Sequence, residues 1–361
     1  MSDREFPCEQ CGAELKFAPG MNSLKCEYCG HLNEIPALPD AIEEVDFHTV
    51  LADLSEKEDV VTVTTVHCTG CGAETQRKEG IASDQCPFCG TPIVAAAGST
   101  RVIKPKAILP FHIKREEATE KFRLWLRSLW FAPNALNRMS NNEDRLAGMY
   151  VPYWTYDCGT VSQYSGQRGD DYYTTETYTR TVNGKSSTGT RQVKRTRWRW
   201  VSGTVANDFD DVLVLASTSL PVKHAEALEP WDMQNLTPFR EEYLSGFRAE
   251  SYQVELDQGF ERAKQIMDEH IRTLIRRDIG GDQQRISSVQ TQHHDITFKH
   301  VLLPVWISAY RYMDRVFRFL VNGRTGEVQG ERPWSKWKIA LAVVGGLLVV
   351  GGIIALIAAA Q

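Results

Sequence analysis

The 361-residue sequence predicts a multidomain chain with two small β modules, an α+β body and one transmembrane helix at its C-terminus. Three observations carry this prediction. Two segments near the N-terminus repeat one cysteine spacing, the middle of the chain mixes helical and strand-like patterns, and the last residues form one long apolar run. The net charge of −5 argues against a general nucleic-acid binder, which would carry an excess of positive charge.

The two N-terminal modules share the pattern C-x2-C-x14-C-x2-C, with a glycine after each cysteine pair. Four thiolates are the ligand set of a closed, tetrahedral Zn²⁺ site, which leaves no coordination position open for catalysis. Because the N-terminal stretch has no apolar run, we expect no secretory signal, and metal binding is favoured over disulfides. The pattern therefore predicts two β zinc ribbons with two structural ions, whose ligands are Cys8, Cys11, Cys26, Cys29, Cys68, Cys71, Cys86 and Cys89.

The charge of the modules favours one class of partner. Zinc ribbons bind nucleic acid or protein, and phosphate neutralisation requires a stripe of basic residues. Neither module has such a stripe, and the segment between them is strongly acidic, so we expect protein contact. The charged residues of the two modules are Arg4, Lys16 and Lys25 against Glu5, Glu9, Glu14 and Glu27, and Arg77 and Lys78 against Glu74, Glu79 and Asp84.

The segment after the second module predicts an α+β body. Two stretches, 115–131 and 257–281, have apolar residues at helical spacing, and the second ends on two glycines. Two β-prone runs flank Asn183-Gly184, a strong hairpin signal. Three further strands are predicted near the end of the body, with turns at Met313-Asp314 and Asn322-Gly323. The predicted boundaries are 1–35 for the first ribbon, 36–65 for an acidic, partly helical linker, 66–97 for the second ribbon, 98–333 for the body and 339–360 for the transmembrane helix.

One basic cluster lies in the body. Arg195, Arg197 and Arg199 share one face of a predicted strand, because successive strand residues point to opposite faces. One interpretation is a patch for an anionic ligand, either lipid head groups or nucleic acid, with lipid the nearer ligand for an anchored chain. The other interpretation is a solvated basic face that pairs across strands with carboxylates such as Glu176 or Asp170.

No catalytic constellation is recognisable, so we expect that the protein is not an enzyme. The ninth cysteine, Cys158, has no evident partner base, and a small buried residue is the default interpretation.

Residues 339–360 form an uncharged run of 22 residues. A helix of that length spans roughly 33 Å, enough for a hydrocarbon core of about 30 Å. Arg332, Lys336 and Lys338 precede the run and no charged side chain follows it, so the positive-inside rule places residues 1–338 in the cytosol. Small residues repeat on one face of this predicted helix. They fit either close helix–helix self-association or small side chains with no packing role.

The sequence resembles a bacterial family of tail-anchored tandem zinc-ribbon membrane proteins, often labelled as similar to primosomal helicase or to TFIIB-type zinc-ribbon proteins. The helicase label does not fit this chain, which lacks helicase motifs. The resemblance implies an adaptor at the inner membrane, because the look-alikes are encoded beside phage-shock-protein-A-like and SPFH-domain proteins. It rests on the paired CxxCG modules and on YVPYW (150–154), PFREEYLSGFRAESY (238–252), LLPVW (302–306) and LVNGRTGEVQGERP (320–333).

The main hypothesis is thus a non-enzymatic, tail-anchored adaptor whose ribbons and α+β domain recruit protein partners, such as phage-shock-protein-A-like or SPFH-type proteins, to the inner membrane. The alternative is a membrane-tethered nucleic-acid-binding zinc-ribbon protein.

The C-terminal run generates the first testable prediction. The full-length protein is expected in the membrane fraction of cells and in the pellet after alkaline carbonate extraction, because a transmembrane helix is released only by detergent. A chain ending at Lys338 should appear in the soluble fraction. Immunoblotting of both fractions is the measurement, and a full-length chain released by carbonate would contradict the predicted anchor.

Overall fold

A computed structural model describes residues 6–36, 42–52, 60–76, 83–94, 97–131, 146–182, 185–312, 315–332 and 335–359. Within these residues the centre of the body is a nine-stranded mixed sheet, which contains the order β12-β11-β15-β10-β13. Three very long antiparallel strands dominate it: β11 (Ala147–Val182), β12 (Lys185–Leu215) and β15 (Gln283–Tyr312). The body is therefore of mixed α and β type, as the sequence predicts.

The remaining strands are short, and five helices accompany them in the described residues. The other strands are β1 (Leu15–Phe17), β2 (Ser23–Cys26), β3 (Leu32–Glu34), β4 (Val45–Asp46), β5 (Val60–His67), β6 (Glu74–Gln76), β7 (Ser83–Gln85), β8 (Pro92–Val94), β9 (Ala97–Ile103), β10 (Ala107–Ile108), β13 (Thr237–Pro238), β14 (Arg248–Ala249), β16 (Arg315–Asn322) and β17 (Val328–Gly330). The helices are α1 (Phe47–Ala52), α2 (Arg115–Ser128), α3 (Val222–Glu226), α4 (Leu256–Ile279) and α5 (Lys336–Ala359).

Both predicted hairpin regions form. The ladder between β11 and β12 runs to Val182 opposite Lys185, and that between β15 and β16 runs to Tyr312 opposite Arg315. The turn residues at 183–184 and 313–314 lie outside the described residues. The predicted turn at Asn322 separates β16 from β17, and the Gly326 N–H donates to the Asn322 carbonyl at 2.9 Å.

Helix α4 matches its prediction closely. It ends at Ile279, and Gly280 follows with φ +64°, a conformation that favours glycine. Its apolar stripe packs on the sheet, where the ring of Phe260 lies 5.4 Å from that of Tyr156. Of the residues predicted for the buried face, Ile266 is exposed instead and lies at the edge of the stripe.

The YVPYW and LLPVW segments are hydrogen-bonded neighbours at the centre of the sheet, with Tyr150 opposite Pro304. Successive strand residues alternate between the two faces. Tyr150 shares a buried cluster with the first cysteine module, whereas Met149 and Val151 share another with the second cysteine module. The described residues of the two modules, which lie within 6–35 and 66–94, therefore cover opposite faces of one sheet. This placement explains why these strand segments are apolar on both faces.

Each module joins the core through aromatic side chains. Phe17 of the first module packs edge-on against Tyr243 at 5.2 Å, and the Tyr243 hydroxyl donates to the side chain of Asn22. Phe88 of the second module is fully buried, and its carbonyl accepts a hydrogen bond from the Arg318 guanidinium at 3.0 Å. The modules are thus integral parts of the body and not free domains.

The sheet narrows with distance from its centre. Strand β15 pairs with β11 as far as Gly169, opposite Gln283. Beyond this point, and within the described residues, only β11 and β12 pair with each other, up to Val182. We call this two-stranded extension, residues 170–182 and 185–197, the arm.

The contact between α4 and the sheet generates a stability prediction. Gly259 faces the sheet, and a Cβ at this position would lie 2.8 Å from Cδ1 of Trp154 and clash with the Tyr156 hydroxyl, which donates to the Leu256 carbonyl at 2.7 Å. Gly259→Ala should therefore lower the free energy of unfolding by about 2 kcal/mol, since overpacking outweighs the better helix propensity of alanine.

Urea unfolding of the full-length protein in detergent, followed by tryptophan fluorescence, measures this change. Gln265→Ala, at an exposed position of the same helix, is the matched control and should leave the unfolding midpoint unchanged. A Gly259→Ala protein as stable as the control would show that α4 does not pack this closely.

Candidate metal centres

Each cysteine module brings its four predicted ligands together. The four Sγ atoms of each set lie within 4.8 Å of one another, and none of these cysteines forms a disulfide. In the first module Cys8 lies 3.6 Å from Cys29 and Cys11 lies 3.5 Å from Cys26, Sγ to Sγ. Tetrahedral zinc with Zn–S bonds of about 2.3 Å requires S–S separations near 3.8 Å. The first cluster can therefore hold one metal ion and is consistent with zinc.

The second module repeats this geometry. Cys68 and Cys89 lie 3.5 Å apart, and Cys71 and Cys86 lie 3.6 Å apart, Sγ to Sγ. The cluster is more buried than the first, because Phe88 and the strands of the body cover it. Both clusters present four thiols, so a bound ion would have no open position for a substrate.

The four CxxCG turns orient the thiols of these short segments. In each of the four CxxCG turns the glycine N–H donates to the carbonyl of the first cysteine at 2.8 to 3.0 Å. Each of these glycines has a φ between +70° and +79°, which a residue with a side chain adopts only at a cost. The four glycines are Gly12, Gly30, Gly72 and Gly90.

Hydrogen bonds favour the thiolate at one cysteine of each cluster, whereas the pKa values of Cys29 and Cys86 are raised. The backbone N–H of Cys29 lies 3.5 Å from the Cys26 sulfur and lowers the pKa of that thiol to about 6. A hydrogen bond with Cys86 lowers the pKa of the Cys71 thiol to about 5. Because the thiolate is the metal ligand, each cluster holds at least one sulfur prepared for coordination.

A third group of close acidic side chains is explained by an ion pair. Asp157, Asp210 and Asp211 lie within 4.8 Å of one another. The Lys299 ammonium lies 2.9 Å from Asp211 and 3.4 Å from Asp157, and it also contacts Glu44 at 3.1 Å. Burial acts against its charge, but the hydrogen bond to Asp211 and the nearby carboxylates raise the pKa of Lys299. The lysine thus supplies the positive charge here, an arrangement that no local sequence pattern indicates.

The basic strand predicted as an anionic-ligand patch lies at the arm. Arg195 contacts Glu176 at 2.5 Å and Arg199 contacts Asp170 at 3.8 Å, the cross-strand pairing that the second interpretation expects. Arg197 instead lies over the ring of Tyr172, 5.3 Å from its centroid. The three arginines do share one face, as predicted, and part of their charge is neutralised within the strand pair.

Cys158 is buried against α4, and its sulfur lies 3.7 Å from that of Met267. Burial raises the pKa of the Cys158 thiol to about 11, so the group stays protonated. This setting fits a packing role and not a nucleophile.

A cleft of about 480 Å³ lies between α3 and α4. Its lining combines apolar side chains such as Trp231 with carboxylates, and burial raises the pKa of Glu229 within it. Carboxylates are among the groups that act as general acids and bases, and four of them, Asp211, Glu226, Glu229 and Glu269, line this cleft.

The C-terminal helix stands apart from the body in composition. Within residues 336–358, an 18-residue stretch has a mean hydropathy of 2.7 and is not buried against other parts of the described chain. Leu348, for example, is 72% exposed. The helix is long and apolar enough to cross a membrane.

Comparison with known proteins adds one relative. The chain is similar to the uncharacterized protein YdjG of Bacillus subtilis (strain 168). The two are 27% identical over 350 residues, which cover 93% of this chain and 92% of YdjG. No protein-family model matches the chain, and no solved structure matches it. The similarity thus extends over nearly the whole of both proteins.

The clusters predict two metal ions per chain. Purified full-length protein should contain two equivalents of metal per chain, measured by inductively coupled plasma mass spectrometry. Cys71→Ser should lower the content to one and make the body sensitive to protease, because the second cluster lies under the sheet. Cys158→Ser, which changes the remaining cysteine, is the matched control and should keep two equivalents. Two equivalents in the Cys71→Ser protein would disprove the predicted ligand set.

Proposed function

We propose that this protein is a non-enzymatic, tail-anchored adaptor that holds protein partners at the cytosolic face of the bacterial inner membrane. Two structural zinc ions fix the modules, and α5 is the single membrane span. The partners are phage-shock-protein-A-like or SPFH-type proteins, as the family resemblance implies. The uncovered apolar surface of α5, at the end of a large polar body, supports the anchor.

One observation carries the recruitment of partners. Tyr28, at the tip of the first module between Cys26 and Cys29, is 85% exposed, and Leu32 nearby is also exposed. The ring extends from a CxxCG turn that a bound metal would hold rigid, so it is presented at little cost in conformational entropy. Exposed aromatic side chains on rigid supports are typical anchors of protein–protein interfaces. The first module thus offers a contact point although its other side is buried in the body.

The charge of the first module also favours a protein ligand over nucleic acid. Lys16 is paired with Glu27 at 2.6 Å next to the exposed tip, so its charge is balanced by a neighbouring carboxylate. A phosphate ligand would compete with this pair, whereas a protein interface with an apolar centre and a polar rim would leave it in place.

Crosslinking in native membranes tests the proposal. Full-length protein should crosslink to a discrete cytosolic protein, identified by mass spectrometry, and Tyr28→Ser should reduce that product at least fivefold. Leu124→Ser, which removes an exposed apolar side chain from α2, is the matched control. The metal content of both variants should remain at two equivalents.

A second readout distinguishes an adaptor from a membrane protein with an incidental contact. Replacing residues 339–359 by an unrelated transmembrane helix should keep the partner in the membrane fraction, and ending the chain at Lys338 should release it. A partner that stays on the membrane without the tail, or equal crosslinking in the Tyr28→Ser and control proteins, would refute the adaptor role.

A further inference from the structure

The arm is the part of the sheet with the least structural support. Both of its faces lack a covering layer in the described structure, whereas α4 covers one face of the sheet up to Ile279, near Gly166. Its twelve steps from 170 to 182 extend about 40 Å at about 3.3 Å per residue. A two-stranded ribbon is marginal in water by itself, so its continuous strands must be held by the body. A projection of this kind is suited to contact a ligand away from the body.

Charge on the arm is concentrated on one face. On this face the arm has four guanidinium groups and two carboxylates, and two further guanidinium groups lie at its base, although the whole chain carries a net charge of −5. Glu176 is shared by Arg191 at 3.4 Å and Arg195 at 2.5 Å, so one carboxylate serves two cations. The groups on this face are Arg180, Arg191, Arg195 and Arg197 of the arm and Arg168 and Arg199 at its base, with Asp170 and Glu176.

Aromatic rings lie among these arginines. Tyr172 and Tyr178 are on the same face and are 39% and 44% exposed. The ring of Tyr178 lies across Gly189 of the opposite strand, where a Cβ would be 3.1 Å from Cζ. Glycine therefore lets the ring lie against the ribbon with its outer side open. Guanidinium groups bind phosphates, and open aromatic faces stack on unpaired bases.

The arm is far along the strand from the point where the chain enters α5. The Glu331 N–H donates to the carbonyl of Arg318, a residue that lies near the start of β11 in the sheet. The Ser335 N–H donates to the carbonyl of Phe131. The arm begins after Gly169, which is 22 residues along β11 from Ala147, or about 70 Å of strand. Lipid head groups of the membrane that holds α5 are thus not the nearest ligand. An acidic protein would use the arginines but not the open ring of Tyr178.

From this combination we propose that the basic face of the arm binds single-stranded nucleic acid, with arginines on the phosphates and the ring of Tyr178 under a base. This site is separate from the exposed tip of the first module, so it adds a second ligand to the proposed adaptor and does not depend on it.

Fluorescence anisotropy tests the proposal. Full-length protein in nanodiscs of zwitterionic lipid is titrated with a labelled 30-nucleotide single strand at several salt concentrations. The triple variant Arg195→Gln, Arg197→Gln, Arg199→Gln should bind at least about 30-fold more weakly at about 50 mM salt, and the slope of log K against log salt should fall by about 2, as expected for three lost phosphate contacts. Tyr178→Ala should weaken binding but keep the salt slope.

A variant that is expected to bind more tightly strengthens the test. Glu176→Gln frees Arg191 and Arg195 and should tighten binding about fivefold. The matched control removes three positive charges from α4 by Arg262→Gln, Lys264→Gln and Arg272→Gln and should leave binding unchanged. Equal weakening in this control, or no binding by the unaltered protein, would overturn the proposal. Preferred binding to a DNA duplex, to polyglutamate or to vesicles of anionic phospholipid would also overturn it, in favour of a different ligand.

Discussion

The structure depends on burial of the central strands on both faces. Tyr150 and Trp306 point to one face and Met149 and Val305 to the other, and all four are buried. In an α/β protein helices cover both faces of the sheet, whereas here the cysteine modules share that task with α2 on one side and α3 on the other. A module of about thirty residues has little core of its own, so four thiolates around an ion are an efficient way to keep it folded against the sheet.

Because the modules pack against the sheet, the cysteine clusters differ from those of free zinc ribbons. A free zinc ribbon is a separate ligand-binding unit, whereas Phe88 and Phe17 make these modules part of the body. Cys86, Phe88 and Cys89 of the second module are buried, whereas the first module exposes Tyr28 at its tip among other residues. Among the described residues, this tip, the arm and the cleft between α3 and α4 are three surfaces open to partners.

Beyond the modules the faces of the same sheet are packed differently. Over residues 159–169 of β11 one face is packed by α4 and the other is solvated, and hydroxyl pairs such as Ser165 with Ser288 at 2.7 Å line the outer surface. In the arm neither face is packed, and cross-strand ion pairs and threonines replace apolar contacts. One pair of strands thus passes from a core to a solvent-exposed ribbon, and its sequence changes from YVPYW to alternating Thr, Tyr and Arg.

The sequence by itself determined the features that depend on local spacing. The cysteine ligands, the apolar run of α5, the amphipathic stripe of α4 and the hairpin around residues 183–184 each follow from a short pattern whose physics is local. The pairing of Arg195 with Glu176 also followed from strand alternation and proximity in a hairpin.

Only the tertiary structure decided how these parts meet. Lys299 and Glu44 are 255 residues apart in the chain, and no local pattern indicates that they form an ion pair. Likewise, the equal spacing of the two modules does not reveal that they cover opposite faces of one sheet. Strand length was also beyond local reasoning, because whether β11 continues past Gly169 depends on its partner strands and on what covers them. Long-range packing, and not the pattern of any one segment, sets these features.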